Sequence, residues 1–297
     1  MHPRPGPAGK ALETGRGSAP LYSHLSIPGW MDLSRWILPD LASALAWAGK
    51  RNGQGIRCTL ALAGEYAGTP GEAGRAAGEN IACIGAIAGE GVDASLSVKA
   101  SALGGLFDPA VCRDLTLRIA REAARAGVPL ELDMEGKGSV DLTLALADGC
   151  RGEGARVMVA LQAYLDRTGD DIRKMVSLGI GIRLVKGAYL GDVSEFEEIR
   201  RRTEVCAGIL KGLRAPFSLG THDPALIGWA RQEFGTERDL LEFGFLKGLS
   251  DGTKAGLAAG GWRVSEYVPF GQGGEAYVRR RERYLGDLAR QGLSPAP

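Results

Sequence analysis

The chain has 297 residues, 44% of them apolar and 24% charged, with a formal net charge of +1. Near-neutrality argues against a nucleic-acid partner, which calls for a clear basic excess, and no apolar run reaches the roughly 18–20 residues that span a bilayer. Five scattered cysteines with no Cys-x-x-Cys spacing suit a reducing compartment better than a disulfide framework. Residues 1–20 carry Pro, Gly and charges but no apolar signal core, so they read as a flexible tail before a single domain over 21–297. A cytoplasmic location is expected, with peripheral contact at the inner face of the membrane left open.

Residues 30–48 read as a helix with Trp36, Leu41 and Leu45 on its apolar side. An alternation then begins. Apolar, strand-like runs fall at 56–62, 94–100, 129–134, 156–162, 181–187, 216–221, 240–248 and 262–271. Helical periodicity fills the gaps, for example over 109–126, 194–213 and 275–290. Nearly apolar strands, each followed by a helix, imply parallel pairing with both faces covered. Eight such units predict an α/β fold of the (β/α)8 barrel type, whose usual size is about 250 residues. A doubly wound open sheet is the alternative; it requires a reversal of strand order. The last helix is placed to fold across the barrel mouth.

Barrel enzymes gather their chemistry at the C-terminal ends of the strands. Glu65, Lys99, Asp133, Glu135, Gln162, Lys186, Thr221, His222 and Tyr267 fall at or near those ends, and the opposite ends look bland. Lys99 alone is as readily a solvated strand end as a fixed cation. Asp133 and Glu135 are paired carboxylates, but only His2, His24 and His222 are present and no zinc-binding spacing occurs, so no metal site is expected. A carboxylate-only Mg²⁺ site stays open. Asp223 before Pro224 is a helix cap followed by Pro at the first helical position, leaving His222 either a loop hydrogen-bonder or a ligand contact.

The run Arg183-Leu184-Val185-Lys186-Gly187-Ala188-Tyr189 stands out because an inward-pointing arginine demands an anionic or electron-rich partner. Gly271-Gln272-Gly273-Gly274 opens the last helix and superficially matches a dinucleotide fingerprint, yet too little chain follows for the rest of that unit. The start of this helix can still hold a phosphate or carboxylate. Within it, Tyr277, Arg280, Arg281 and Tyr284 share a face. An arginine-rich helix is ordinarily a solvated surface; over a barrel mouth, adjacent guanidinium groups suit a small carboxylate.

The ordered set Ser97-Val98-Lys99, Leu132-Asp133-Met134-Glu135, Leu161-Gln162-Ala163-Tyr164-Leu165, Arg183 to Tyr189, Thr221-His222-Asp223, Tyr267-Val268-Pro269-Phe270-Gly271 and Arg280-Arg281 resembles the proline dehydrogenase family. The resemblance implies an FAD-containing barrel that oxidises L-proline to Δ1-pyrroline-5-carboxylate and passes electrons to a quinone. It implies a carboxylate clamp of Lys99, Arg280 and Arg281, with Asp133 positioning Lys99 or its neighbours, and ring contacts from Tyr189, Leu246 and Tyr267. It also implies FAD contacts from Gln162, Arg183, Lys186, Gly187, Ala188, Thr221 and His222, with Arg183 near flavin N5. Leu190, Lys247 and Tyr284 depart from the family's usual pattern. Three other readings stand beside this one: a dehydrogenase of another cyclic secondary amino acid, a Schiff-base enzyme using Lys186, and an inactive relative that binds a ligand.

Overall fold

The computed structural model describes residues 33–297. The expected tail over 1–20, with His2 and His24, lies outside the described residues. Each apolar run becomes a parallel strand: β1 Ile56–Leu62, β2 Ala94–Lys99, β3 Leu130–Asp133, β4 Val157–Gln162, β5 Gly181–Val185, β6 Phe217–Gly220, β7 Leu241–Leu246 and β8 Arg263–Phe270. They close in sequence order into a barrel, with β1 registered on β8 from Ile56 against Val264 to Leu62 against Phe270. That closure rules out the open doubly wound sheet.

The main helices are α1 Leu41–Asn52, α2 Pro70–Glu90, α3 Pro109–Ala126, α4 Val140–Gly152, α5 Thr168–Ser177, α6 Phe196–Gly212, α7 Pro224–Glu233, α8 Asp251–Ala259 and α9 Glu275–Arg290. Their starts are chemically marked. Thr69 and Glu72 form a reciprocal capping box on α2, and the Asp108 and Asp223 side chains cap α3 and α7 ahead of Pro109 and Pro224.

The first helix begins later than its periodicity predicts. Pro39 disfavours a helical conformation at Leu38, and the Asp40 carboxylate accepts from Ser43 N at 2.8 Å, so α1 starts at Leu41. Residues 34–38 instead cross the end of β8, where Leu38 pairs with Phe270. Trp36 is buried there, and its indole donates to Glu282 of α9 at 2.9 Å.

Strand alternation sorts the side chains. Cys58, Leu60, Leu96, Val98, Leu130, Leu132, Val159, Leu184, Phe243 and Val268 are buried in the main apolar core. The other face carries Thr59, Ser95, Lys99, Glu131, Asp133, Arg183 and Tyr267, which bond across the barrel rather than only to adjacent strands. The interior is thus polar, instead of being filled by branched aliphatics. Nor is the opposite end bland. A cavity of about 540 Å³ opens there, lined by Arg57, Arg156, Arg263, Asp93, Glu242 and the start of β6 among others.

One charged cluster sits outside the barrel wall. Glu266 of β8 is fully buried and accepts from Lys254 Nζ at 2.5 Å, Arg51 Nη2 at 2.9 Å and the Trp47 indole at 2.6 Å, tying α1 and α8 to the wall.

Candidate active site

Asp133 is the hub of the C-terminal mouth. Alternation along Leu130-Glu131-Leu132-Asp133 turns both acids inward, and Asp133 lies level with Lys99 in the β2–β3 register. Asp133 Oδ1 accepts from Arg183 Nη2, while Oδ2 accepts from the Tyr267 hydroxyl at 2.5 Å and lies 3.4 Å from Lys99 Nζ. Lys99 also donates to Tyr267 at 3.1 Å and to the Leu62 carbonyl at 3.2 Å. Burial opposes the charge on Asp133, yet Arg183 and Lys99 hold its carboxyl down at about 2. The expected link between Asp133 and Lys99 is therefore present, and it extends to Arg183 and Tyr267.

Helix α9 brings its arginines to the same mouth. Arg280 pairs with Glu65, just past β1, and lies 4.9 Å over the Tyr189 ring. The Arg281 guanidinium lies 5.1 Å over Tyr277, whose ring stacks on Tyr267 at 6.2 Å and 19°. Burial raises the Tyr277 phenol against the opposing pull of Arg281, Lys99 and Arg280. The start of α9 serves packing: a Cβ on Gly274 would fall 2.0 Å from Ile37, so glycine there lets the 34–38 segment seat.

The loop after β5 is held by Tyr164. Gly187 has φ +127°, and a Cβ there would meet the Tyr164 ring at 1.7 Å; one on Gly191 would meet it at 2.4 Å. The Tyr164 hydroxyl accepts from Tyr189 N at 3.1 Å, fixing the turn that carries Lys186, Gly187, Ala188 and Tyr189. Lys186 donates to Asp223 at 2.9 Å and sits 3.6 Å over Phe196. Burial lowers its affinity for a proton, and Asp223 works against that. Asp223 thus caps α7 and also anchors Lys186 and Arg200. Leu190, just beyond, is 87% exposed and packs on little of the protein.

His222 takes a loop role. Its Nε2 accepts from Leu246 N at 3.0 Å, and Thr221 Oγ1 accepts from Asp223 N at 3.1 Å. Burial, with Arg281, Lys254 and Lys186 nearby, pushes the imidazole down to about 3, so it is neutral. Tyr284 lies 6.4 Å from it, ring to ring. Lys247 reaches the Ser34 and Arg35 carbonyls at 2.8 and 2.9 Å, which gives this unusual lysine a packing reason. Glu135 accepts from Ser101 N and Oγ at 2.8 and 2.6 Å, and Gln162 Nε2 donates to the Glu135 carbonyl at 3.0 Å. Burial raises the Glu135 carboxyl. These bonds hold Glu135 as a loop brace rather than as half of a metal pair, and no group of potential metal ligands occurs among the described residues.

Sequence reading overlooked Glu131, the lower partner of Arg183, and Tyr164 as a plug. The signal for Glu131 was its phase with Asp133; Tyr164 left no sign until the glycines were seen against its ring. Several buried polar atoms at this mouth lack a partner among the described residues: Glu65 Oε2, Gln162 Oε1, Tyr277 OH and Arg281 Nε. Buried polar groups in folded proteins are nearly always satisfied, so their gathering marks a ligand site.

A sequence-family profile for proline dehydrogenase matches residues 44–201. "Proline dehydrogenase" of Deinococcus radiodurans is 33% identical over 245 residues, covering 76% of this chain and 77% of that protein. "Proline dehydrogenase 1" of Bacillus subtilis subsp. natto is 30% identical over 255 residues, covering 83% and 84% respectively. Proline utilization A (PutA) from Bdellovibrio bacteriovorus, solved after inactivation by N-propargylglycine, shares the fold with a TM-score of 0.74 at 21% identity. That match covers 84% of this chain, which spans only 32% of the solved one. The chain belongs to the proline dehydrogenase family.

Proposed function

We propose that this protein oxidises L-proline to Δ1-pyrroline-5-carboxylate with FAD bound at the barrel mouth, the electrons passing on to a quinone. The observation that carries the reading is the set of unpartnered buried polar atoms on Glu65, Gln162, Tyr277 and Arg281. The residues present fit the cofactor. Gln162 Oε1 is an orphaned acceptor suited to a ring N–H, Arg183 and Lys186 are partly buried cations suited to an electron-rich ring and its phosphates, and neutral His222 and Thr221 border the same rim. Bound FAD supplies a two-electron acceptor for the hydride leaving proline C5, while the nitrogen lone pair forms the C5=N bond.

The chain's own residues do the rest. Arg281 and Lys99 take the substrate carboxylate, and Arg280 joins them by exchanging Glu65 for substrate. The three cations also disfavour an ammonium beside them, lowering the substrate amine toward the neutral form that hydride loss requires. Asp133 holds Lys99 and Tyr267 in one arrangement, so the clamp and the ring wall are set before substrate arrives. Tyr189 and Leu246 supply the remaining apolar contacts to the ring.

Exposed Tyr66, Leu106, Phe107 and Leu190 belong to loops after β1, β2 and β5 and suit a lipophilic acceptor or peripheral membrane contact at this rim. No helix among the described residues is long and apolar enough to cross a membrane. The test is anaerobic titration of FAD-reconstituted protein with L-proline. Bleaching of the flavin band supports the reading; reconstituted protein that L-proline does not bleach refutes it.

A further inference from the structure

Glu131 is buried one strand step below Asp133, in the wall of the barrel rather than at its mouth. Its Oε1 accepts from Thr59 Oγ1 at 2.8 Å and Ser95 Oγ at 2.5 Å, and its Oε2 lies 3.0 Å from Arg183 Nη1. Arg183 is thus held from two sides: Nη1 by Glu131 below, Nη2 by Asp133 above. In the β4–β5 register Arg183 lies level with Ala160, while in the β3–β4 register Glu131 lies level with Met158, one same-face step lower. Farther down, Arg57 Nη1 lies 4.0 Å from Glu131 Oε1 and 3.4 Å from Glu242. Charge therefore alternates along the interior, from Glu242 through Arg57, Glu131 and Arg183 to Asp133.

We infer that Glu131 is a positioning residue for the oxidation: it fixes the Arg183 guanidinium and frees Asp133 to serve Lys99 and Tyr267. The geometry gives the reason. Asp133 Oδ2 already takes Tyr267 and lies beside Lys99, leaving only Oδ1 for Arg183. A guanidinium held by one oxygen can turn about that bond, whereas one held at both Nη atoms by carboxylates on different levels cannot. Glu131 touches neither substrate nor cofactor in this account, which rests on the function proposed above. Its negative charge also offsets that of Arg183, so it moderates the positive field offered to a reduced flavin.

Two measurements on Glu131→Gln test the inference, one of which needs no flavin. Glutamine keeps the length of the side chain and an acceptor for Thr59 and Ser95 but drops the charge. In flavin-free protein, phenylglyoxal modification of Arg183, followed by peptide mass spectrometry, should rise about tenfold in Glu131→Gln, the factor expected for loss of one charge-assisted bond. Ser95→Ala keeps the carboxylate and should leave that rate unchanged. In flavin-loaded protein, Glu131→Gln should shift the flavin reduction potential positive yet slow its reduction by saturating L-proline about tenfold. A more easily reduced flavin that is reduced more slowly separates lost alignment from altered driving force. An unchanged phenylglyoxal rate overturns the inference even if the protein binds no flavin. A normal potential and reduction rate in a flavin-loaded, proline-bleached variant overturn it while leaving the proposed function intact.

Discussion

The buried cluster around Glu266 makes a quantitative prediction about stability, independent of the mouth. Glu266 and Lys254 have no exposed side-chain surface, and Arg51 is only 8% exposed. Glu266→Gln preserves shape and an acceptor for Trp47, but leaves Lys254 and Arg51 with Asp251 as their one remaining acidic partner, itself 62% exposed. Removing one member of a buried ion pair costs about 3–5 kcal/mol, because the other charge stays buried without its counter-ion. Lys254→Met is different. It removes a cation, keeps much of the volume, and leaves Glu266 satisfied by Arg51 and Trp47, so the cost should be about 1–2 kcal/mol. Urea unfolding followed by both tryptophan fluorescence and far-UV circular dichroism checks this, with coincident transitions and an unchanged slope licensing the comparison. If Lys254→Met is as damaging as Glu266→Gln, the asymmetry is wrong and the cluster does not work as an orphaned-charge argument requires.

Other expectations follow from the mouth and its supports. Arg281→Met should weaken L-proline binding about tenfold or more without lowering thermal stability, whereas Arg280→Met should do both, because it leaves the buried Glu65 carboxylate alone; affinity and melting measurements on flavin-loaded protein separate the two. Gly187→Ala should destabilise the protein and impair flavin retention, since Tyr164 must leave its seat; Tyr164→Ala in the same background should restore some of the melting temperature by making room. His222 stays neutral down to about 3, against 6.5 when unfolded, so the unfolded chain takes up the proton first and stability falls as pH drops through this window. The slope is about 1.4 kcal/mol per pH unit at most. His222→Gln should lose less stability than the parent between pH 6.5 and 4, and equal losses would contradict a buried neutral imidazole.

The barrel was legible because outward strand faces must be apolar to meet the helices, and proline and aspartate mark the helix starts at Pro109 and Pro224. Strand ends were legible within a residue or two. The first helix was misread because Trp36 is buried by the chain's far end, not by helical periodicity, and Pro39 outweighs the local pattern. At the site, Lys99, Asp133, Arg183 and Tyr267 meet as their strand positions suggested. What sequence could not weigh was distance across the barrel: Glu131 and Arg183 sit on strands that β4 separates, yet their side chains meet at 3.0 Å. Asp223 was legible as a cap, but its second task, holding Lys186, depends on a loop whose path Tyr164 dictates.

The 34–38 segment has a consequence for how the chain folds. Leu38 pairs with Phe270, Trp36 bonds Glu282, Lys247 holds the Ser34 carbonyl, and Trp47 and Arg51 reach Glu266. These contacts join residues more than two hundred positions apart. The earliest part of the described chain to leave the ribosome therefore waits, with two indoles and a buried-pair arginine unsatisfied, until nearly all the rest has followed. Contacts of such separation form late and slowly. The helix that presents Arg280 and Arg281 is in turn braced by that same early segment, so the arginine pair reaches its place at the mouth only with the step that closes the ring.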